Sequence, residues 1–474
     1  MWGHRREVRE AVVELTGAGS YAEWLAAAEQ LDRLSGAWDW RDEDEHPAYD
    51  AALLRSDIVQ FERLRLAGDA FGLARHIEES VYRHAADFSL PSLHHVAWTG
   101  TKRLVTRYLD ALCAAVDWLA DVPGVDRALK LAKLRRYAQN YGQSALLLSG
   151  GATLGFMHTG VVKALFEHGL LPDVMSGASM GAMVAAGICC RSDDELRALF
   201  ADPREQVRTF GLQFAGLGAA WRERALLDPA VMLSVIRHNC GDYTFEEAWR
   251  RSGRVLNISV SPTRQGQKPR LLCHLTAPDV LVAESALASS AIPGVFPPAR
   301  LVRRDAQGQR HAYIESERWI DGSMHGDLPK RRMSRLHNVN HFLVSQTNPH
   351  VLPFLVDARL RGRGRAALGV TLSLSRRQGA ELIGVVEQVV ADTPLRPWVS
   401  LAHSLLGQDY LGDVDIHPRF HPRMLLRAFS NATPEEFAGY VQQGERATWS
   451  SLARVDVETR IARTLKAAIA RVEG

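Results

Sequence analysis

One pentapeptide limits what this chain can fold into more than any other stretch: Gly177-Ala178-Ser179-Met180-Gly181, a G-x-S-x-G sequence. A short run, Asp173-Val174-Met175-Ser176, precedes it, and an apolar helical pattern, Ala182 to Cys190, follows it. A serine between a strand and a helix in this setting sits on a sharp turn, with its hydroxyl presented at the end of a sheet. Glycines two positions before and two after remove side chains that would collide in such a turn. The following helix aims its positive end at the hydroxyl and favours anionic character there. The pentapeptide alone recurs by chance; its placement between strand and helix gives it weight.

The flanking sequence predicts a parallel sheet with crossover helices. Ala145-Leu146-Leu147-Leu148 reads as a strand closed by Ser149-Gly150-Gly151. A helical pattern through Val161, Val162, Leu165 and Phe166 ends at Gly169, a C-cap position. The strand before Gly177 comes next, so strand, loop, helix and strand follow one another in little space. Further strands are expected at Val255 to Val260, Leu271 to Leu275, Trp319-Ile320 and Phe342 to Ser345. Residues 1–142 read as helical: Ser20-Tyr21-Ala22-Glu23 has the form of a capping box, and apolar residues recur at steps of three and four over Ile58 to Leu66 and Leu104 to Leu119. Residues 143–350 form the α/β domain and residues 351–474 a helical C-terminal extension. In that extension, helices are expected near Gln378 to Val390 and from Pro434 to Val472, the latter capped by Thr433-Pro434-Glu435-Glu436.

Two further elements carry chemistry. Gly150-Gly151-Ala152-Thr153-Leu154-Gly155 also lies between a strand and a helix, where unpaired backbone N–H groups can hold an oxyanion. A nucleotide P-loop is excluded because no Gly-Lys-Ser/Thr follows, and a dinucleotide loop fits poorly because Ala152 replaces the second glycine. Asp321-Gly322-Ser323 follows the apolar pair Trp319-Ile320 and contains the only Asp-Gly dipeptide of the chain. Alone, Asp-Gly marks a turn; after the other two elements, it reads as a carboxylate brought to the serine. A Ser-His-Asp hydrolase is disfavoured, since only one helix and one strand separate Gly151 from Ser179. His325, His341 and His350 remain the histidines that could still be recruited. His168 and Asp173 match an H-x-x-x-x-D acyltransferase spacing on a helix end, where chance matches are common. Ala291 to Pro298 could wall an acyl chain or pack the sheet, and the glycine-spaced Arg359, Arg361, Arg363 and Arg365 could meet anionic headgroups or lie in a solvated loop.

With 474 residues, the chain exceeds what one hydrophobic core supports. A net charge of +3 gives no case for nucleic acid as partner. The five cysteines, Cys113, Cys189, Cys190, Cys240 and Cys273, lack metal-site spacings and read as reduced, with adjacent Cys189 and Cys190 the only pair to weigh as ligands. No cofactor and no metal are expected. The N-terminus lacks the apolar region of a signal peptide, and no apolar run reaches the ~20 residues of a membrane span. A cytoplasmic protein, with peripheral contact to a membrane at most, is therefore expected.

The ordered set Gly150–Gly155, Gly177–Gly181 and Asp321–Ser323 resembles the patatin-like phospholipases. Wider stretches, Ala145–Gly155, Arg254–Pro262, Leu275–Pro298 and Asp321–His350, resemble one subgroup: intracellular triacylglycerol lipases of fungi and seed oil bodies, with their bacterial relatives. The resemblance implies a patatin-like three-layer sandwich around a mostly parallel sheet, flanked by a helical N-terminal domain. It also implies a Ser-Asp dyad with Ser179 as nucleophile and Asp321 as base, and an oxyanion hole from Gly150, Gly151 and Ala152. Gly155, Gly177, Gly181 and Gly322 are then the supporting glycines. The implied substrate is a glycerolipid or phospholipid ester at a membrane or lipid-droplet surface. Ala152 stands where many members have glycine, and Leu154 where many phospholipases have a basic residue, which suits a neutral glyceride. Acyl transfer to a lysolipid or alcohol by the same serine, and lipid binding without catalysis, are the alternatives.

Overall fold

The computed structural model describes residues 2–84, 87–203, 212–214, 226–264, 267–323, 327–348, 351–352, 410–418 and 430–474. The expected helix at Gln378 to Val390, the arginines from Arg359 to Arg365, His325 and His350 lie outside them.

Seven helices come first: α1 (Trp2–Gly17), α2 (Tyr21–Ser35), α3 (Ala37–Asp42), α4 (Ala51–Leu66), α5 (Ala70–His84), α6 (Arg103–Asp121) and α7 (Arg127–Tyr141). Ser20 caps α2 through its side chain as expected. Glu23 reaches back one residue further than in a regular capping box, to the Gly19 N–H at 2.8 Å. The α/β region then runs β1 (Gln143–Leu148), α8 (Met157–Glu167), β2 (Val174–Gly177), α9 (Met180–Cys189), α10 (Asp193–Ala201), α11 (Pro229–Cys240), α12 (Phe245–Ser252), β3 (Val255–Pro262), β4 (Arg270–Leu272), α13 (Val282–Ser289), β5 (Val302–Arg304), β6 (Arg310–Ala312), β7 (Trp319–Asp321), α14 (Lys330–His337), β8 (Val339–Ser345) and β9 (Val414–Ile416). A final helix, α15 (Pro434–Glu473), closes the chain. The β5–β6 hairpin and β9 were not anticipated from sequence. β4 stops at Leu272 because Thr276 turns the chain, its hydroxyl donating to the Leu271 carbonyl at 2.9 Å.

The sheet order is β4-β3-β2-β1-β8-β9, with β7 also on β3. Strands β3, β2, β1, β8 and β9 are parallel, while β4 and β7 run antiparallel to β3. Parallel strands are covered on both faces and so read as continuous apolar runs, as β1 does. Leu146, Leu148, Met175 and Ile258 point into the large core shared with α8, α9 and α13. Ala145, Leu147, Val174 and Val344 point the other way, towards Met333 of α14. The result is helix, sheet and helix: an α/β fold with a mostly parallel central sheet.

Register decides where the functional loops emerge. Leu148 stands level with Gly177 on one side and with Ser345 on the other. The loops after β1, β2 and β8 therefore leave the sheet side by side, where the strand order reverses. Ligands of open α/β sheets bind in that crevice. Strand β7 adds a fourth loop. Val260 of β3 pairs with Arg270 of β4 and also with Asp321 of β7, so these two strands hold opposite edges of β3. Since β2 leaves β3 at Ile258, β7 takes over the edge that β2 vacates. Asp321 is thereby set just beyond the end of β2, where Ser179 begins its turn.

Helix α15 spans 40 residues, about 60 Å. Thr433 and Glu436 complete its capping box, with Pro434 in the first turn. Its first half packs on α8, with Trp449, Leu452 and Val455 in the α/β core; its second half sends Val457, Ile461, Leu465 and Ala468 into the core of α4 to α7. The C-terminal helix thus belongs to both bodies, and α1 and α2 pack into the α/β core. Between the two halves, buried Glu458 accepts from Arg454 at 2.8 Å and meets His341 of β8 at 2.7 Å. The crossing of α8 and α15 is made by two glycines. A Cβ on Gly160 would stand 1.8 Å from the Val441 carbonyl oxygen, and one on Gly444 would stand 2.1 Å from that of Met157. Gly160→Ala is expected to push the helices apart and destabilise the chain by about 1–3 kcal/mol. Thermal unfolding checks this, and an unchanged midpoint refutes the close crossing.

Candidate active site

Ser179 is the N-cap of α9 and holds φ 52, ψ −123, a strained geometry for a residue with a side chain. The turn is held open by absent side chains. A Cβ on Gly177 would meet the Gly181 carbonyl oxygen at 2.3 Å, and one on Gly181 would meet that of Leu148 at 2.1 Å. The Ala178 N–H donates to the Leu148 carbonyl at 3.2 Å, which ties the turn to the end of β1. Ser179 itself is 5% exposed.

Asp321 is fully buried. Its Oδ1 accepts from the Ser323 N–H at 2.8 Å and from the Ser323 hydroxyl at 2.7 Å. Its Oδ2 is buried and keeps no hydrogen bond of regular geometry. Burial pushes the carboxyl up to about 6, opposed by Ser323 and, to a lesser degree, by the nearby Ser179 hydroxyl. Serine and aspartate share an anchor that sequence reading missed. The Ser289 carbonyl, at the end of α13, accepts from Ser179 N–H at 3.1 Å and from Gly322 N–H at 3.3 Å. The Ser289 hydroxyl accepts from the same Ser179 N–H at 3.0 Å and donates to the Ser259 carbonyl of β3 at 2.7 Å. Two residues on, the Ala291 carbonyl accepts from Asp321 N–H at 3.1 Å.

The glycine loop after β1 packs against the loop after β8. A Cβ on Gly151 would meet the Thr347 hydroxyl at 2.2 Å, and one on Gly155 would meet the Met180 side chain at 2.3 Å. Ala152 adopts φ 48, left-handed and unfavourable for alanine by about 1–2 kcal/mol. The Gly150 N–H, counted with the oxyanion group from sequence, is occupied: it donates to Asp327 Oδ1 at 3.0 Å. Among the described residues, the N–H groups of Gly151 and Ala152 have no protein acceptor. Asp327 is 1% exposed, and its Oδ2 accepts from Asn348 Nδ2 at 2.6 Å. Burial, with the charge of Asp321 adding to it, pushes this carboxyl up to about 7. Beneath the loop lies His158, fully buried and held down to about 4, hence neutral. A neutral ring bonded to the Ser149 carbonyl at 3.0 Å carries its proton on Nε2, leaving Nδ1 to accept from the Ser345 hydroxyl at 2.7 Å. It is a strut for the loop.

Comparison with known proteins gives the family. A family model for patatin-like phospholipases matches residues 146–331, and one for a domain of unknown function (DUF3336) matches residues 1–139. Triacylglycerol lipase ptl3 of Schizosaccharomyces pombe is 31% identical over 464 residues, covering 94% of this chain and 93% of that protein. The chain belongs to the patatin-like phospholipase family. Triacylglycerol lipase 4 of Saccharomyces cerevisiae is also 31% identical, over 96% of this chain but 52% of that protein. A patatin-like protein of Aspergillus niger is 30% identical over 98% of this chain and 66% of its own length. The chain thus spans nearly all of the first relative, two thirds of the third and about half of the second. These relatives are fungal, and a bacterial affiliation gains no support from them. A crystal structure of VipD from Legionella pneumophila aligns over 65% of this chain and 66% of that one, with a TM-score of 0.32 and 15% identity.

Several expectations for this patatin-like chain find other partners. His341 bonds Ser144 and Glu458, away from the serine. His168 bonds the Ala164 carbonyl and Asp173 pairs with Lys466 of α15, so the acyltransferase spacing does not converge on the loop. The Ala291–Pro298 stretch anchors Asp321 through the Ala291 carbonyl and receives the N–H groups of Leu226 and Leu227 at Val295. Cys189, Cys190, Cys240 and Cys273 are buried, Cys113 is half-buried, and all are free thiols. No described helix is long and apolar enough to cross a membrane. Among the described residues, no cluster of His, Cys, Asp or Glu is placed to hold a metal ion.

Ser289, Asp327 and His158 carried no sequence signal of their own; each is one ordinary residue in an ordinary element. Ser289→Ala keeps the carbonyl clasp but removes the hydroxyl bridge from β3 to Ser179 N–H. Its expected effect is a drop in kcat of about tenfold with the fold intact, the size of one misplaced interaction near reacting atoms. Wild-type kcat in this variant would show that the hydroxyl bridge does not set the turn.

Proposed function

We propose that this chain hydrolyses acyl esters of glycerolipids through a Ser179–Asp321 dyad. The observation that carries the reading is the shared clasp: one carbonyl, Ser289, holds both the strained Ser179 turn and the residue next to Asp321. The Ser179 hydroxyl attacks the ester carbonyl and passes its proton to the Asp321 carboxylate. The tetrahedral oxyanion is held by the N–H groups of Gly151 and Ala152, with the N-terminus of α9 adding its positive end. Collapse expels the alcohol, which takes the proton back from Asp321. Water then attacks the acyl-enzyme, giving a proton to Asp321; the second tetrahedral intermediate collapses, the fatty acid leaves, and Asp321 returns the proton to the Ser179 oxygen.

An aspartate is ordinarily too weak a base near neutral pH. Burial answers this by raising Asp321 to about 6, close to the working range of a general base. Leu154, buried beside the loop, offers no charge to a phosphate headgroup. That and the names of the fungal relatives favour triacylglycerol over phospholipid as substrate, met at a droplet or membrane surface. Transfer of the acyl group to a lysolipid would use the same acyl-enzyme, and adding a lysolipid acceptor to the assay separates the two by product.

Ser179→Ala and Asp321→Asn are each expected to lower kcat on nitrophenyl esters and glycerides by several orders of magnitude, up to about 10⁶ for the serine. A fluorophosphonate probe should label wild type and spare Ser179→Ala. Unchanged turnover in either variant removes the dyad, and absence of both labelling and turnover in wild type favours a non-catalytic lipid binder. In wild type, kcat/KM should fall about tenfold per pH unit below about 6, as Asp321 becomes protonated.

The same burial has a stability consequence of opposite sign. A carboxyl raised above its ordinary 3.8 favours folding when protonated; that contribution is full below about 3.8 and is lost as pH rises through about 6. Asp321→Asn should therefore melt higher than wild type at pH 8, with the gap closing in acid. A lower melting point at pH 8 would contradict the buried-charge account.

A further inference from the structure

The glycine loop is pinned peptide by peptide, and the pinning is uneven. In the Ser149–Gly150 peptide both ends are engaged: the Ser149 carbonyl accepts from His158 Nε2, and the Gly150 N–H donates to Asp327. In the Gly150–Gly151 peptide the engaged end is the carbonyl. Its oxygen accepts two hydroxyls, from Ser149 at 2.8 Å and from Thr347 at 2.9 Å. Thr347 reaches this place by register. Leu148 stands level with Ser345, so Gly150 and Thr347, each the second residue past its strand end, come side by side. The Ser149 N–H still bonds the Ser345 carbonyl at 3.1 Å, as one more rung of the sheet. Side chains make the next rung, with the Thr347 N–H donating to the Ser149 hydroxyl at 2.9 Å. Ser149 and Thr347 are both fully buried.

We propose that Thr347 is a positioning residue of the oxyanion hole: its hydroxyl, together with that of Ser149, holds the Gly150 carbonyl and thereby aims the Gly151 N–H at the acyl oxygen. The proposal rests on the hydrolase reading and adds to it the residue that sets the direction of the hole. A trans peptide is planar, with its carbonyl oxygen and its N–H on opposite sides, so fixing one fixes the other. One donor already spares a buried carbonyl the cost of leaving water unpaired. The second donor restrains the plane from rotating about the first bond. Two hydrogen bonds on the oxygen also polarise the peptide and make its N–H a stronger donor.

Gly151 needs such restraint. It follows a second glycine and holds φ 157, in a region that glycine visits freely, so the backbone itself does little to fix the plane. The bareness that leaves the loop soft is also what admits Thr347, whose hydroxyl lies where a Cβ on Gly151 would clash. Thr347 is held in turn: its oxygen lies 3.1 Å from His158 Nε2, and its N–H is the one bonded to Ser149. Ser149, His158 and Thr347 thus form a closed buried set around the Gly150 carbonyl, and the Gly151 N–H, on the far side of the same peptide, has no protein acceptor among the described residues.

The test uses the purified full chain, a butanoyl nitrophenyl ester and a trifluoromethyl ketone, which adds to an active serine and sets its oxygen in the hole. Thr347→Val keeps the shape and removes the hydroxyl; Thr347→Ser keeps the hydroxyl. Circular dichroism with thermal melting shows which variants are folded. Thr347→Val should lower kcat about thirtyfold, less than the roughly 10²–10³ lost with a whole oxyanion donor, and change KM less than about twofold. Thr347→Ser should recover to within about threefold of wild type. The ketone should bind Thr347→Val more weakly by the factor lost in kcat/KM, since both report the tetrahedral state. If Thr347→Val does not fold, Ser149→Ala removes the other hydroxyl and carries the same expectation. Wild-type kcat and ketone affinity in the folded variant overturn the proposal, as does a loss that Thr347→Ser fails to restore. A crystal structure of Thr347→Val gives a readout independent of turnover: the Gly150–Gly151 plane should rotate from its wild-type direction, and an unmoved plane overturns the proposal. If wild type neither hydrolyses the ester nor binds the ketone while the plane moves, the hydrolase reading fails and the positioning of the Gly151 N–H stands. If wild type hydrolyses the ester and Thr347→Val does so equally well, the positioning fails and the hydrolase reading stands.

Discussion

The Ser289 carbonyl, shared between Ser179 N–H and Gly322 N–H, is the contact on which the site's geometry depends. Neither partner could hold its place by local structure alone. Ser179 sits in a backbone region that costs energy, and Asp321 ends a strand of three residues. A backbone acceptor serves both because it cannot rotate away as a side chain can. The end of α13 is itself fixed, since the Ser289 hydroxyl is bonded to β3 and the Ala291 carbonyl to Asp321. Strain at the serine and burial at the aspartate are thus held against one rigid element.

Behind that clasp stands a substitution of strands. Strand β7 completes on β3 the edge that β2 leaves at Ile258, so the chain's return after α13 lands beside the end of β2. Geometry that sequence describes only as two distant motifs becomes adjacency along a single strand edge. The glycine loop is placed by a different device, a buried polar network. Asp327 holds the Gly150 N–H, while Thr347 and His158 bond the carbonyls of Gly150 and Ser149. Among the described residues, the next two N–H groups, those of Gly151 and Ala152, have no protein acceptor. Buried networks of this kind stiffen a site only when their members are satisfied.

The helical layers stabilise the site from a distance. Helix α15 lies against α8 through the Gly160–Gly444 crossing and continues into the core of α4 to α7, so one long element joins the helical bundle to the sheet. Glu458, bonded to Arg454 and to His341 of β8, marks the joint. The helices at the two ends of the chain are therefore interleaved rather than serial: α1 and α2 pack with the α/β core, and the last half of α15 packs with the bundle.

The sequence by itself determined the local pieces: the parallel strands as apolar runs, the helix caps at Ser20 and Thr433, the serine turn from its glycines, and the order of the three motifs. Those are read from neighbours a few residues apart, and their periodicity and steric limits do not wait for the rest of the chain. Tertiary structure decided everything that joins residues far apart in sequence. It decided that the Ser289 carbonyl holds the N–H groups of both Ser179 and Gly322, that Asp327 occupies the Gly150 N–H, and that burial raises Asp321 to about 6. Of the two roles open to the Ala291–Pro298 stretch, it showed one contact directly: the Ala291 carbonyl holds the Asp321 N–H. Hydrogen bonds to backbone carbonyls and desolvation depend on what packs nearby. A serine in a helix end or a lone aspartate carries no mark of either until the chain has folded around it.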